Sequence, residues 1–202
     1  MVAPIDKDLL GAYKLLYDTG IDVEKGVVSI NQEIDDDVLE RIRVGFRLLE
    51  DREITIMLNT PGGDVIVGMA IIDYMRAHTA RWNKPVHVVV DGLAASMGCV
   101  ITQGATGKRI CRPNSVLMHH VGSMSISSDH FGNVKNMVKF QDKYGKRINQ
   151  LMLSRVNDRR ALLGLEPRSS SWWEDRDTID QWMDAEGALE LGLIDEISLV
   201  LP

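Results

Sequence analysis

Ile54-Thr55-Ile56-Met57-Leu58-Asn59-Thr60-Pro61-Gly62-Gly63 begins as a strand and ends as a turn. The apolar, β-branched run Ile54–Leu58 suits a buried strand, and the Asn-Thr-Pro-Gly-Gly that follows cannot prolong it. Beyond the turn, Val65, Met69, Ile72 and Met75 recur at helical spacing and predict a helix. The same step recurs downstream. Val86-His87-Val88-Val89-Val90 reads as a buried strand, and Gly92-Leu93-Ala94-Ala95-Ser96-Met97-Gly98 puts a serine at the mouth of a short helix. Upstream, Val27–Ile30 reads as a strand. Asp35-Asp36 can cap a helix whose apolar positions are Val38, Ile42, Phe46 and Leu49. Short strands are expected near Lys108–Cys111 and Val116–His119. Strands alternating with helices predict an α/β domain built from repeated right-handed crossovers.

The two ends of the chain are patterned differently. Residues 1–20 read as an arm with a short helix around Leu9–Tyr17. From about 129 to 157, Val134, Met137, Val138, Tyr144, Ile148, Leu151 and Met152 form an apolar stripe with charges between them, a long amphipathic helix. Such a stripe can bury itself against another subunit or against the sheet of its own chain. Residues 158–178 read as an irregular insertion carrying Trp172 and Trp173. Asp184 is placed to cap a closing helix that ends at Gly192, with a terminal strand around Leu193–Ile197. There is no internal repeat, linker or low-complexity tract, so residues 1–202 are expected to form one domain.

Composition removes several classes of function. The chain has 202 residues, a formal net charge of −6, 45% hydrophobic and 26% charged residues. No basic stripe interleaved with aromatics marks a nucleic-acid binder. No run approaches the roughly 18 apolar residues of a membrane span. The start, Met1 to Asp8, lacks the apolar core of a secretory signal. Cys99 and Cys111 have no metal-ligand spacing and are too few for a disulfide framework, so Cys99 reads as a small core residue. Neither a metal nor a cofactor is expected, and a reducing cytoplasmic setting fits this usage.

The chemistry is concentrated around Ser96. Ala94, Ala95 and Gly98 remove bulk beside it, and a helix that starts there leaves its first N–H groups unpaired. The N–H of Met97 is the natural first donor to a developing oxyanion. Gly63 is the natural second, because a glycine turn presents its N–H with no side chain in the way. A base is needed next to the serine. His87 lies in an apolar strand and reads as a core histidine, while His78 and His130 read as exposed. His119 and His120 are adjacent at a strand end, so pleating sends them to opposite faces, and periodicity does not choose between them. Asp175, Asp177, Asp180 and Asp184 are the late acids that could orient the imidazole.

Taken together, these motifs resemble ClpP, the proteolytic subunit of the ATP-dependent Clp proteases. The similarity runs from about Val27 to Ile197. It is carried by Asn59–Gly63, Gly92–Gly98, Gly107-Lys108-Arg109, Pro113-Asn114-Ser115 and Ala185 through Glu196. The resemblance implies Ser96 as nucleophile and His120, rather than His119, as base. It implies Asp180 as third member, with Asp177 as runner-up, and Gly63 and Met97 as oxyanion donors. Asp64, Val65, Val121 and Gly122 fall where substrate is bound. The implied fold is the ClpP/crotonase-like ββα superhelix with a protruding handle, which the helix at about 129–157 matches. Such subunits form heptameric rings, stacked as a tetradecamer around a chamber fed with unfolded polypeptide by an ATPase partner. Val121-Gly122 replaces the family's usual Gln-Pro. Ile179 stands where the family places an arginine that ties rings together, and Thr55 and Arg112 replace apolar residues of the ATPase-docking surface.

The expected activity is therefore that of a serine endopeptidase acting on unfolded polypeptides, with no metal, nucleic acid or membrane involved. The competing readings are a non-catalytic or activator-dependent ring subunit and a phage capsid-maturation protease. An acyl-CoA enzyme on the crotonase architecture and a Ser-Lys protease complete the field.

Overall fold

Strand, tight turn and helix are the unit from which the sheet is assembled. The computed structural model describes residues 11, 14, 16–120, 131–176 and 179–202. β1 (Ile21–Asp22) and β2 (Val27–Ile30) form a small antiparallel pair, and helix α1 (Asp36–Leu48) leads to β3 (Ile54–Thr60). Helix α2 (Val65–Trp82) leads to β4 (Val86–Ala95), and α3 (Met97–Gln103) to β5 (Arg109–Cys111). The strands from β2 to β5 are parallel neighbours, as connections through helices demand. The mixed α/β fold is thus as expected.

β4 is twice the length that its apolar run suggests, and it changes partner along the way. Val88–Val90 pair with β5, whereas Leu93–Ala95 pair with β6 (Val116–His119). The change falls around Gly92, at φ +121°, where a Cβ would sit 2.8 Å from Asn59 Oδ1. That amide oxygen instead accepts a hydrogen bond from Leu93 N at 3.1 Å. β6 then pairs antiparallel with β7 (Gln181–Asp184), a strand without a sequence signal. β8 (Glu196–Ile197) pairs with β5.

The core lies between this sheet and helices α1 to α3. Val28, Ile30, Ile56, Leu58, Val88 and Val90 are buried against Val38, Ile42, Ile71, Ile72 and Met75. Each such side chain contributes about 1.5–3 kcal/mol by leaving water. Caps fix the helix ends. Asp35 accepts from Val38 N, and Asp64 accepts from Ile66 N and Val67 N. Asp184 and Gly192 bracket α6 (Ala185–Leu191), as expected.

Several expectations require correction. The long helix α4 (Phe131–Leu162) runs past the expected end at about 157, because nothing breaks it before Gly164, at φ +67°, while the expected start near 129 lies outside the described residues. Its stripe divides along its length: Met152 and Val156 are buried on the body, whereas Met137, Val138 and Phe140 are exposed. The 158–178 segment is not irregular throughout. It contains the last turn of α4 and helix α5 (Ser170–Arg176). His78 is buried rather than exposed, because α2 continues past it to Trp82 and ends at Asn83 in a left-handed conformation. Its Nε2 lies 2.8 Å from Arg52 O. The terminal strand is confined to Glu196–Ile197. Most of residues 1–20, His130 and Asp177 lie outside the described residues. Among the described residues, no helix is long and apolar enough to cross a membrane.

Candidate active site

Ser96 stands between the end of β4 and the start of α3 with φ +52° and ψ −118°. A non-glycine residue reaches this conformation only when its surroundings impose it, at about 1–3 kcal/mol. Three neighbours do so. Ser96 N donates to Met118 O at 2.8 Å, tying the turn to β6. A Cβ on Gly62, at φ +105°, would lie 2.6 Å from Ser96 Cβ and 2.8 Å from Ala95 O. A Cβ on Gly98 would lie 2.5 Å from Thr60 Cγ2. Backbone therefore packs on backbone here, and the Ser96 hydroxyl makes no cap bond to its own helix. It is turned instead toward His120, whose Nε2 lies 2.7 Å from Ser96 Oγ.

The sheet's register brings the third residue to this pair. β6 and β7 pair Met118 with Trp182 and His119 with Gln181. One further step along the two strands sets His120 opposite Asp180, at a distance typical of cross-strand neighbours. His120 Nδ1 lies 3.8 Å from Asp180 Oδ1. This separation is an ion-pair distance, longer than a hydrogen bond. The Asp180 side chain is 58% exposed. Pleating sends His119 the other way, into the interior, where its ring stacks on Trp173. Asp184 is occupied with capping α6, and Asp175 is exposed on α5.

The glycine turn is fixed from the opposite side. Ile34 and Gly63 form an isolated parallel bridge in which Gly62 O accepts from Ile34 N and Ile34 O accepts from Asp64 N, both at 2.8 Å. In a parallel bridge the central residue's own N–H points away from its partner strand. Among the described residues the Gly63 N–H is thus left over, and so is the Met97 N–H as the first of a helix. The Asp64 carboxylate is held by its capping bonds, and Val65 packs partly on the core. Val121 and Gly122 lie outside the described residues.

Other titratable groups stand apart from this cluster. Burial pushes the Cys99 thiol up to about 12, which keeps it inert at neutral pH. Burial is also the largest influence on His87, lowering it, and the nearby Glu53 only partly offsets that. Among the described residues, no group of three or more His, Cys, Asp or Glu is arranged to hold a metal ion. Sequence reasoning missed β7 and the burial of Trp173. Four residues with no alternation gave no strand signal, and a tryptophan pair in a polar stretch gave no sign of which ring turns inward.

A serine at a strained strand-to-helix turn, hydrogen-bonded to a histidine, has the nucleophile and base that acyl transfer requires. The comparison with known proteins agrees with this class. The Clp protease family model matches residues 16–199. ATP-dependent Clp protease proteolytic subunit 2 of Thermobifida fusca (strain YX) is 34% identical over 177 residues, covering 85% of this chain and 79% of that protein. The chain belongs to the Clp protease family, a family of peptidases.

Proposed function

We propose that this chain is a serine endopeptidase in which Ser96, His120 and Asp180 are nucleophile, base and orienting acid. The observation that carries this reading is the 2.7 Å approach of Ser96 Oγ to His120 Nε2 from a backbone held at φ +52°. The Ser96 hydroxyl donates to Nε2, and the Nδ1–H faces Asp180. As Oγ attacks the scissile carbonyl, its proton passes to Nε2 and the carbonyl oxygen becomes an oxyanion received by the N–H groups of Gly63 and Met97. The imidazolium then protonates the departing amine, leaving the acyl group on Ser96. Water, deprotonated by Nε2, attacks the ester and restores the serine. Asp180 stabilises the imidazolium in both halves.

Substrate binds as an extended segment beside Gly63–Val65, and the family resemblance adds Val121 and Gly122 to the residues that bind it. The assembled form is a homo-oligomer of heptameric rings, stacked or single, that degrades unfolded polypeptide in the cytoplasm with an ATPase partner. These assembly features rest on family membership and on the similarity to a Clp protease proteolytic subunit. Hydrolysis of a fluorescently labelled unfolded protein tests the activity, alone and with a Clp-type ATPase plus ATP. Degradation by wild type and none by Ser96→Ala is the expected result. Equal degradation by both would overturn the assignment.

A further inference from the structure

The strap between α4 and β7 contains a buried aromatic residue that the reaction does not use. Trp173, on α5, is 3% exposed and packs on the ring of His119, itself 3% exposed, with centroids 5.3 Å apart. Its indole N–H is buried with no hydrogen-bond partner among the described residues. His119 immediately precedes His120 and pairs across β6–β7 with Gln181, which immediately follows Asp180. Trp173, His119 and Gln181 thus make one corner directly beneath the His120–Asp180 pair.

Asp180 has little else to hold it. Its carboxylate is mostly exposed and its described side-chain contact is the 3.8 Å approach to His120. Its place is therefore set by its backbone, which the β6–β7 pairing holds from Gln181 onward. α5 is in turn fastened to α4. Arg168 N donates to Asn157 Oδ1 at 2.6 Å, Asn157 Nδ2 donates to Arg168 O at 3.0 Å, and the Arg168 guanidinium lies 5.0 Å from the Trp172 ring centre. Within this chain of contacts, Trp173 is the member that reaches the strand carrying the histidine.

We infer that Trp173 is a positioning residue: by packing on His119 it fixes the end of β6 that carries His120 and, through the pairing of His119 with Gln181, the start of the strand that follows Asp180. This inference rests on the triad reading above. A displacement of about 1 Å between reacting groups costs on the order of a hundredfold in rate. Loosening this corner therefore acts on catalysis through geometry, without removing a reacting atom.

The test uses the full chain in four forms: wild type, Trp173→Leu, Trp173→Phe and Met152→Ala, the last a truncation of a buried core residue on α4. Two readouts are followed against pH. One is the rate of fluorophosphonate labelling at Ser96, and the other is deuterium exchange at each histidine C2–H by tandem mass spectrometry. Trp173→Leu is expected to slow labelling about tenfold to a hundredfold, shift the pH midpoint of His120 and speed exchange at His119. Trp173→Phe, which keeps an aromatic ring against His119 but loses the N–H and one of the two fused rings, is expected to fall between wild type and Trp173→Leu. Met152→Ala is expected to lower Tm without moving the midpoint. An unmoved rate and midpoint in Trp173→Leu would overturn the inference, as would the same loss in Met152→Ala. Failure of wild type to label would instead overturn the triad reading, and the His120 exchange midpoint would still decide the role of Trp173.

Discussion

Residues 59–63 and 92–98 meet backbone to backbone, whereas Asp180 reaches His120 from a strap that touches the sheet along one short strand. On the first side, glycines at positive φ remove every side chain that could stand between Ser96 and its neighbours. A Cβ at Gly62 or Gly98 would meet its neighbour at 2.6 or 2.5 Å. On the second, an exposed carboxylate stands 3.8 Å from its partner, and its position depends on a pairing four residues long. Ser96 is set by covalent geometry and close packing. Asp180 is set by the docking of a separate segment. Such a site has one rigid half and one adjustable half, and substitutions in the two halves should fail in different ways.

The largest expected effect is at the nucleophile. Ser96→Ala should reduce peptide hydrolysis by about 10⁶-fold with little change in Tm, since triad members act as a unit. Gly62→Ala should come next. Its Cβ would meet Ser96 Cβ at 2.6 Å in a conformation that L-residues avoid, so stability should fall by about 2–5 kcal/mol. The folded fraction should lose about 10²–10³-fold in activity. Thermal melts and steady-state kinetics on the same sample separate the two losses. A Gly62→Ala protein with wild-type Tm and activity would show that the rigid half is not rigid.

Asp180→Asn should cost less, about 10–10² in kcat, and leave Tm unchanged. Losing a buried, directly bonded triad aspartate costs about 10⁴, and this carboxylate is neither buried nor bonded. A loss of 10⁴ would mean that the adjustable half closes fully during turnover. The smallest effect sharpens the contrast from outside the site. Burial raises the Asp195 carboxyl, but the bonds and charge of the Arg109 guanidinium outweigh this and hold it below its ordinary value. A lowered folded value stabilises the protein above the unfolded carboxylate range, and that contribution is lost as pH falls through the folded value. With 37% of the Asp195 side chain exposed, the pH-dependent part should stay below about 1 kcal/mol. The Tm difference between wild type and Asp195→Asn should therefore narrow below about pH 4, and Ser96 labelling should not change.

The two halves were also unequally legible in the sequence. β3, β4 and their turns could be read because apolar runs, Pro61 and the glycines each act locally. Ser96 at a strand-to-helix step and the pair Gly63 and Met97 followed from the same rules. The histidines marked the limit: pleating separated His119 from His120, but only the parallel pairing of Ala95 with Met118 sets which one faces Ser96. Asp180 was further out of reach. It meets His120 through an antiparallel pairing between strands distant in sequence, and Gln181–Asp184 is too short and too mixed to announce a strand. The choice of His120 and Asp180 rests on the resemblance to a known family and not on periodicity. His78 was misread because α2 ends at a left-handed asparagine rather than at a glycine or proline, the usual stop signals.

The central claim is that Ser96 is an activated nucleophile. Incubation of the purified chain with a fluorophosphonate and measurement of intact mass addresses it without assuming a substrate or a partner. The account predicts one adduct per wild-type chain, none on Ser96→Ala and greatly slowed formation on His120→Gln. A folded wild-type protein that takes up no adduct, or an adduct that persists in Ser96→Ala, would contradict it.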